Sequence, residues 1–562
     1  MRARTLLCTI ALGLAITQAT PAAAEPEKNT DIRLIAFNDF HGNLQPPAGS
    51  SGRVTLPDGT TVDAGGAAYL ATHLKDLRTK NSVVMSSGDN VGASPLVSAL
   101  FHDEPTMALL DELDLDASVI GNHELDEGYA ELRRMQFGGC HPTDGCQFRD
   151  SYPAARFPIL GGNVRFEKNG LPAALPLTVK MAGGVPVGII GVTLEDLPKV
   201  VTPEAIEGLE FGDEVEAINK SSRLLDLLGV RTQVVLVHQG DNTEGGGPDE
   251  CRTVPGPATE IATKASASVD VFFTGHSHQQ YSCEVTDPAG NPRPLIQGAS
   301  FGRLLSVVDL KVDKHTRDVV REETVAHNEI VTRTVTPDPT VAALVEEAAT
   351  KAAPIANEQV GTIGADLVRA AAPSGESPLG DVLADAQLAA TEANGAQVAM
   401  TNPGGIRTDL TFAGSPAGEG DGVVTYGEAF AVQPFGNIMQ TMTLTGAQLK
   451  TVLEQQWQPQ DDGTIQTRIL QISATLTYTW SASAPVGSKI SDIRIAGEPV
   501  TDVAQYRVSV NNFLAAGGDG FTEFANGTDI AGGAVDLDAF TAYLTANPNL
   551  APPPADRITV AP

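Results

Sequence analysis

Five short stretches in the first half of the chain combine aspartate, asparagine and histidine, and each follows a β-branched run. Asn38-Asp39-Phe40-His41-Gly42 follows Ile32–Phe37, Gly88-Asp89-Asn90 follows Val83–Ser86, and Gly121-Asn122-His123-Glu124 follows Ala117–Ile120. Val237-His238-Gln239 closes Val234–Val237, and Gly275-His276-Ser277-His278 follows Val271–Thr274. With Val185–Val192, these runs read as buried strands alternating with helical stretches, the pattern of an α/β domain. Strand ends that share one edge of a sheet converge, so side chains far apart in sequence meet at one point. That convergence restricts the fold more than any compositional feature does.

Asp39, His41, Asp89, Asn122, His238, His276 and His278 are the oxygen and imidazole donors that two adjacent divalent transition metals require. Asp39 and His41 are two residues apart and are expected to face one side of an extended segment, as are His276 and His278. Gly42 is expected to let the backbone turn close to the site. Asp89 follows Gly88 in a predicted tight turn, and a carboxylate can bridge two metals where a neutral imidazole cannot. Asn122 and His238 are expected to complete the second metal's oxygen and nitrogen shell. Two cations ~3.5–4 Å apart can hold a bridging hydroxide and stabilise an in-line displacement at phosphorus, so the expected chemistry is phosphate-ester hydrolysis. Mixed ligation of this kind suits zinc, manganese, cobalt or iron.

His123 and Asp126 form a second constellation, in which the imidazolium stabilises phosphoryl oxygens or assists the leaving oxygen and Asp126 orients the ring. Glu124 reads either as a ligand or as a helix-start acid. Five of the ten histidines lie in these motifs. His73, His102, His141, His315 and His327 have no comparable setting and read as surface or structural residues.

At 562 residues the chain exceeds one ordinary core, so two large domains are expected. Its formal charge of −32 argues against nucleic acid as a partner and leaves metals and a few arginines to attract any anionic substrate. Residues 1–24 read as a secretory signal: Arg2 and Arg4, an apolar stretch from Leu6 to Ile16, and Ala22-Ala23-Ala24 before Glu25. No other apolar run approaches the ~20 residues that span a bilayer, so an exported protein without a membrane span is expected. The four remaining cysteines predict two disulfides. Cys140–Cys146 across a turn-rich loop is favoured, leaving Cys251 with Cys283.

A composition change at Thr336-Pro337-Asp338-Pro339 precedes an Ala- and Glu-rich helix over Val341–Ala353, closed by Pro354. The expected organisation is a first domain over 25–335, a linker helix over 336–356 and a second domain over 357–562. The second domain is expected to carry a helix around Leu379–Glu392 and Gly/Asn loops at Asn402–Arg407, Gln433–Asn437 and Asn511–Phe521. None of these features sets an oligomeric state.

The first-half motifs resemble those of the calcineurin-like metallophosphoesterases. Asn402-Pro403-Gly404-Gly405-Ile406-Arg407, Gln433-Pro434-Phe435-Gly436-Asn437 and Asn512-Phe513-Leu514-Ala515-Ala516-Gly517-Gly518-Asp519-Gly520 narrow the resemblance to the ecto-5′-nucleotidase family. The resemblance implies a four-layer αββα domain joined by the linker helix, acting as a hinge, to a smaller α+β domain that presents the nucleotide to the metals. Asn402, Arg407, Phe435, Asn437, Phe513 and Asp519 are the implied substrate residues. Phe435 and Phe513 could sandwich a base, Asp519 could accept from ribose hydroxyls and Arg407 offers a planar fork to phosphate. Apart from the resemblance, both phenylalanines would read as core residues.

Two departures stand out. Gly375 replaces an arginine that the family often places before Glu376-Ser377-Pro378-Leu379-Gly380, and no motif transfers its phosphate contact to Arg369. Pro403 replaces a glycine and stiffens its loop. The implied reaction converts nucleoside 5′-monophosphates to nucleoside and phosphate. Alternatives in the same class are a 2′,3′-cyclic nucleotide phosphodiesterase/3′-nucleotidase and a hydrolase of UDP-sugars or other nucleotide diphosphates; two phenylalanines rather than tyrosines favour the 5′-nucleotidase. An alternative of another class, a non-catalytic extracellular binding protein, is opposed by the complete ligand set and the intact His123–Asp126 pair.

Overall fold

The computed structural model describes residues 28–47, 49–414, 418–459 and 464–561, so the expected secretory signal lies outside the described residues. All six expected strands form, as Asn29–Phe37, Ser82–Ser86, Ala117–Val119, Val185–Thr193, Thr232–His238 and Val271–Phe273. They divide between two six-stranded sheets. In the first, Asn29–Phe37, Ser82–Ser86 and Ala117–Val119 run parallel; in the second, Val185–Thr193, Thr232–His238 and Val271–Phe273 do. Strand Leu304–Asp313, which the sequence reading passes over, pairs antiparallel with Asn29–Phe37. Its hydrophobic positions are interrupted by Asp309 and Lys311, which weakens the signal of a buried strand.

The two sheets pack face to face. Leu34, Met85 and Val119 of one meet Val187, Ile189, Leu236 and Phe273 of the other in a dry core. Because both faces of Thr232–His238 are covered, every residue in it is buried and its Val234–Val237 stretch is apolar without alternation. Helices Ala67–Leu77 and Glu104–Glu112 cover the outside of the first sheet, and Glu214–Leu227 and Pro257–Lys264 cover the second. The result is the expected αββα stack. The ligand motifs sit at the C-terminal ends of strands from both sheets rather than along one edge of a single sheet, which corrects the expectation. Strands within each parallel trio end on the same side, and face-to-face packing brings the two sets of ends together.

The linker helix runs over Pro339–Ala356, past Pro354 where the sequence reading stops it. Asp338 caps it by accepting from Thr340 N and Val341 N, and a proline in the last turn interrupts the helix ladder only near its end. Val341, Ala348 and Ala352 are buried among the helices of the first domain, so this helix belongs to that outer layer instead of standing free.

Beyond it, a five-stranded sheet is built from Gln471–Ile472, Val398–Thr401, Gln505–Asn511, Ile438–Thr445 and Thr528–Val535. Helices Pro378–Thr391 and Asp536–Ala546 contribute to the core around Leu379, Leu383 and Phe540, while Met400, Met442 and Val508 belong to a second core with the sheet of Leu476–Ser481. This is the expected α+β domain, with its helix one residue from each predicted end. Both disulfides form as expected, Cys140–Cys146 and Cys251–Cys283.

Candidate metal centre and substrate cleft

Five of the seven expected ligands have left-handed backbone: Asp39 (φ 50), His41 (φ 46), Asp89 (φ 50), His276 (φ 66) and His278 (φ 56). The i, i+2 pairs therefore lie on tight turns and not, as expected, along extended segments. Left-handed backbone in a non-glycine residue costs about 1–3 kcal/mol and persists only where the surroundings hold it. Here the first two motifs are laced together, with Asp39 N donating to Gly88 O (3.0 Å), His41 N to Asp89 O (2.9 Å) and Gly42 N to Asn90 O (3.0 Å). Gly42 fills its expected role: its φ is +57, and a Cβ there would lie 2.4 Å from Ser94 Oγ.

Two donor groups result. Asp39, His41 and His278 form one, and Asp89, His238 and His276 the other, the donor atoms of each lying within 4.8 Å of one another. Asn122 Oδ1 joins the second, 3.2 Å from His238 Nε2 and 2.9 Å from His276 Nδ1. His276 and His278 thus part company, one to each group. Asp89 Oδ2 lies 3.0 Å from His238 Nε2 and 3.7 Å from His41 Nε2, placing one carboxylate oxygen between the groups.

The orientation of the ligands is set from behind. His41 Nδ1 is 2.9 Å from Gly92 O and His238 Nδ1 is 2.7 Å from Ser87 O, so each ring donates to a carbonyl and turns Nε2 inward. Asn38 Nδ2 donates to Asp39 Oδ2 at 2.6 Å. Glu124 stands in neither donor group. Its carboxylate accepts from Asp89 N (2.9 Å), Asn90 N (2.8 Å) and Gly121 N (2.6 Å), strapping two ligand turns together. Sequence spacing carries no sign of that strap.

Burial pushes His41 well below its ordinary pKa, takes His276 to about 3 and lowers His278, so these imidazoles are neutral and their lone pairs free. Burial also opposes charge on His238, yet the adjacent Asp89 lifts it to about 10. A proton shared there occupies ground between carboxylate and imidazole that a cation can take. The donor set fits two divalent transition ions.

His123 Nδ1 meets Asp126 Oδ2 at 2.8 Å, as the expected pair requires. Burial disfavours the imidazolium, but Asp126 and Asp89 raise the pKa above its ordinary value. The ring also lies within ligand range of His41 and Asp89. From the second domain, Phe435 stacks on His123 with centroids 5.6 Å apart and planes 25° apart, and Arg407 Nη2 reaches within 3.5 Å of His41 Nε2. The second domain therefore closes directly over the ligand groups.

The other expected substrate residues are partly assembled. Asn402 Nδ2 donates to Asp519 Oδ2 at 2.7 Å, and Arg468, which the motifs do not include, lies 3.8 Å from Asp519 Oδ1. Phe513 is half-buried with one side against the Gly518 backbone. Phe435 is half-buried too, and among the described residues no ring contact joins the two phenylalanines. Asn437 turns its amide to Asp536 Oδ2 at 3.1 Å, bracing its loop. A cavity of about 500 Å³ beside the Asn402–Arg407 loop is lined by Arg369, Gly375, Pro403, Ile406, Arg468 and Gln471. Gly375 has φ +99, and a Cβ there would lie 2.5 Å from Ile469, so the family's arginine has no room at this position.

The calcineurin-like phosphoesterase family model matches residues 32–280, and the 5′-nucleotidase C-terminal domain model matches residues 354–526. This chain belongs to the 5′-nucleotidase family of calcineurin-like phosphoesterases. Members of the family are metal-dependent phosphoesterases, in keeping with the paired donor groups. The 5′-nucleotidase precursor of Thermus thermophilus superposes with a TM-score of 0.78 at 26% identity, covering 94% of this chain and 99% of that one. Cell wall protein Lmo0130 of Listeria monocytogenes is 34% identical over 95% of this chain and 69% of its own length. Endonuclease YhcR of Bacillus subtilis is 31% identical over 87% of this chain, which spans 37% of YhcR. Among the described residues, no helix is long and apolar enough to cross a membrane.

Proposed function

We propose that this chain is an exported dimetal phosphohydrolase that releases phosphate from nucleoside 5′-monophosphates. The observation that carries the reading is Asp89, whose one oxygen faces both donor groups while the second domain places Arg407 and Phe435 over them. Asp39, His41 and His278 would hold one ion, and Asn122, His238 and His276 the other, with Asp89 between the two groups. Bound there, the ions supply Lewis acidity toward the phosphoryl group and lower the pKa of water.

The chain's own residues do the rest. His123, kept protonated by Asp126, donates toward the phosphoryl or leaving oxygen. Arg407 pairs with a phosphate oxygen. Asp519, braced by Asn402 and Arg468, accepts from the ribose, and the base stacks between Phe435 and Phe513 after Phe435 leaves His123. The division into 25–335, 336–356 and 357–562 assigns metals to the first domain and nucleotide to the last. The signal-like residues 1–24 and the likeness to a cell wall protein support export.

Nucleoside diphosphates and UDP-sugars are a second reading, favoured by the cavity lined by Arg369, which lies near enough to Arg407 to depress its pKa after burial does. An endonuclease activity like that named for YhcR is disfavoured by the charge of −32. The test is phosphate release by metal-reconstituted protein from AMP, ADP, ATP, UDP-glucose, 2′,3′-cyclic AMP and bis-p-nitrophenyl phosphate. AMP is expected to give the highest kcat/KM. No turnover of any nucleotide by protein that holds both ions would leave the binding-protein alternative.

A further inference from the structure

Two histidines outside the motifs come together beside the His123–Asp126 turn. His102 lies just beyond the helix Leu96–Ala99, and His141 lies in the loop closed by Cys140–Cys146. Their rings stack with centroids 3.9 Å apart and planes 14° apart. Two carboxylates complete the group. His102 Nδ1 is 2.9 Å from Glu127 Oε2, His102 Nε2 is 2.9 Å from Asp144 Oδ2, and His141 Nδ1 is 3.3 Å from that same Asp144 oxygen. Donor atoms of His102, Glu127 and His141 all lie within 4.8 Å of one another.

The chemistry of this group is specific. Two imidazoles and the Glu127 carboxylate form a mixed nitrogen and oxygen set that suits zinc-class ions, whereas calcium and magnesium select oxygen alone. The hydrogen bond to Glu127, with Asp144 beyond, raises His102 to about 9, so a proton holds the place between ring and carboxylate that a divalent ion would take. Rings stacked this closely disfavour two imidazolium charges, so protons alone neutralise the group less completely than a divalent ion does. The loop is also prepared for the task. The disulfide ties its ends, Gly145 N donates to His141 O at 2.9 Å, and His141 and Asp144 are thereby held on one side.

We propose that His102, Glu127 and His141 form a mononuclear site for a divalent transition metal of the zinc class, separate from the paired centre, with Asp144 outside it, holding the opposite ring nitrogen of His102 and so orienting that ligand. Such an ion ties the disulfide loop to Glu127, the residue after Asp126, and so braces the segment that aims His123. The site is a structural clamp.

The test strips purified protein with chelator, reloads it with zinc, removes free metal by gel filtration and measures zinc per chain. Wild type is expected to retain one zinc more than the double variant Glu127→Gln/His141→Ala. Asp144→Asn, which keeps side-chain size, is expected to weaken binding of the additional ion at least about ten-fold while circular dichroism remains native. If the double variant does not fold, the Asp144→Asn titration decides alone. Equal zinc content and affinity in wild type and folded variants overturn the proposal, leaving His102 as an imidazolium held between two acids. Failure of the paired centre to load lowers every protein alike and does not affect the difference.

Discussion

Phe513→Ala separates nucleotide recognition from phosphoester chemistry. Phe513 is half-buried, has one side against Gly518, and contacts none of the donor-group rings among the described residues. Phe435 differs, because it stacks on His123. Removing a base-stacking ring costs about 1–3 kcal/mol. At about 1.4 kcal/mol per decade this is a loss of ~5-fold to ~150-fold in kcat/KM for AMP. Bis-p-nitrophenyl phosphate reaches the metals without a nucleoside pocket, so its kcat/KM should stay within about two-fold in Phe513→Ala. Phe435→Ala should lower both substrates, AMP more, because it removes a stacking face and a wall of His123. The assay is steady-state hydrolysis of both substrates by each variant, with metal content measured in parallel. Equal losses on both substrates in Phe513→Ala, at unchanged metal content, would refute base stacking and make the ring a support of the fold.

Asp89→Asn removes the one charge that faces both donor groups, so metal content and turnover should fall together; full activity with two ions still bound would show that Asp89 is no bridge. His123→Ala should lower kcat while both ions remain, and Asp126→Asn should act in the same direction more weakly; loss of an ion on elemental analysis would make His123 a ligand, which its position near His41 and Asp89 permits. Replacing Cys251 and Cys283 by serine opens a loop of sequence separation 32 and should cost about 4 kcal/mol of stability in denaturant titration. A change below about 1 kcal/mol would show that the unfolded chain is not restrained by this bond.

The donor identities were legible in the sequence because each lies at the end of an apolar run, and local periodicity announces such runs. Asp39, Asp89, Asn122, His238 and the His276/His278 pair could be named before any fold was known, and so could both disulfides. The same local signal explains the errors. An i, i+2 pair reads as extended, yet the lacing of Asp39–Gly42 to Gly88–Asn90 forces both turns into left-handed backbone. Spacing placed His276 and His278 together, whereas the turn sends them to different groups.

What remained was decided by contacts between residues that the chain separates widely. Face-to-face packing of two sheets sets Asp89 beside His238, and Glu124 straps turns contributed by different strands. Docking of the second domain puts Phe435 on His123 and Arg407 near His41. His102 and His141 carry no motif at all, and only the folded disulfide loop brings them into ring contact. The sequence by itself determined which side chains are available for chemistry, because chemical identity and strand or helix period are local properties. Which of them share an ion, a proton or a stacking face is a matter of a few ångströms between distant segments, and only the packing of the tertiary structure sets that distance.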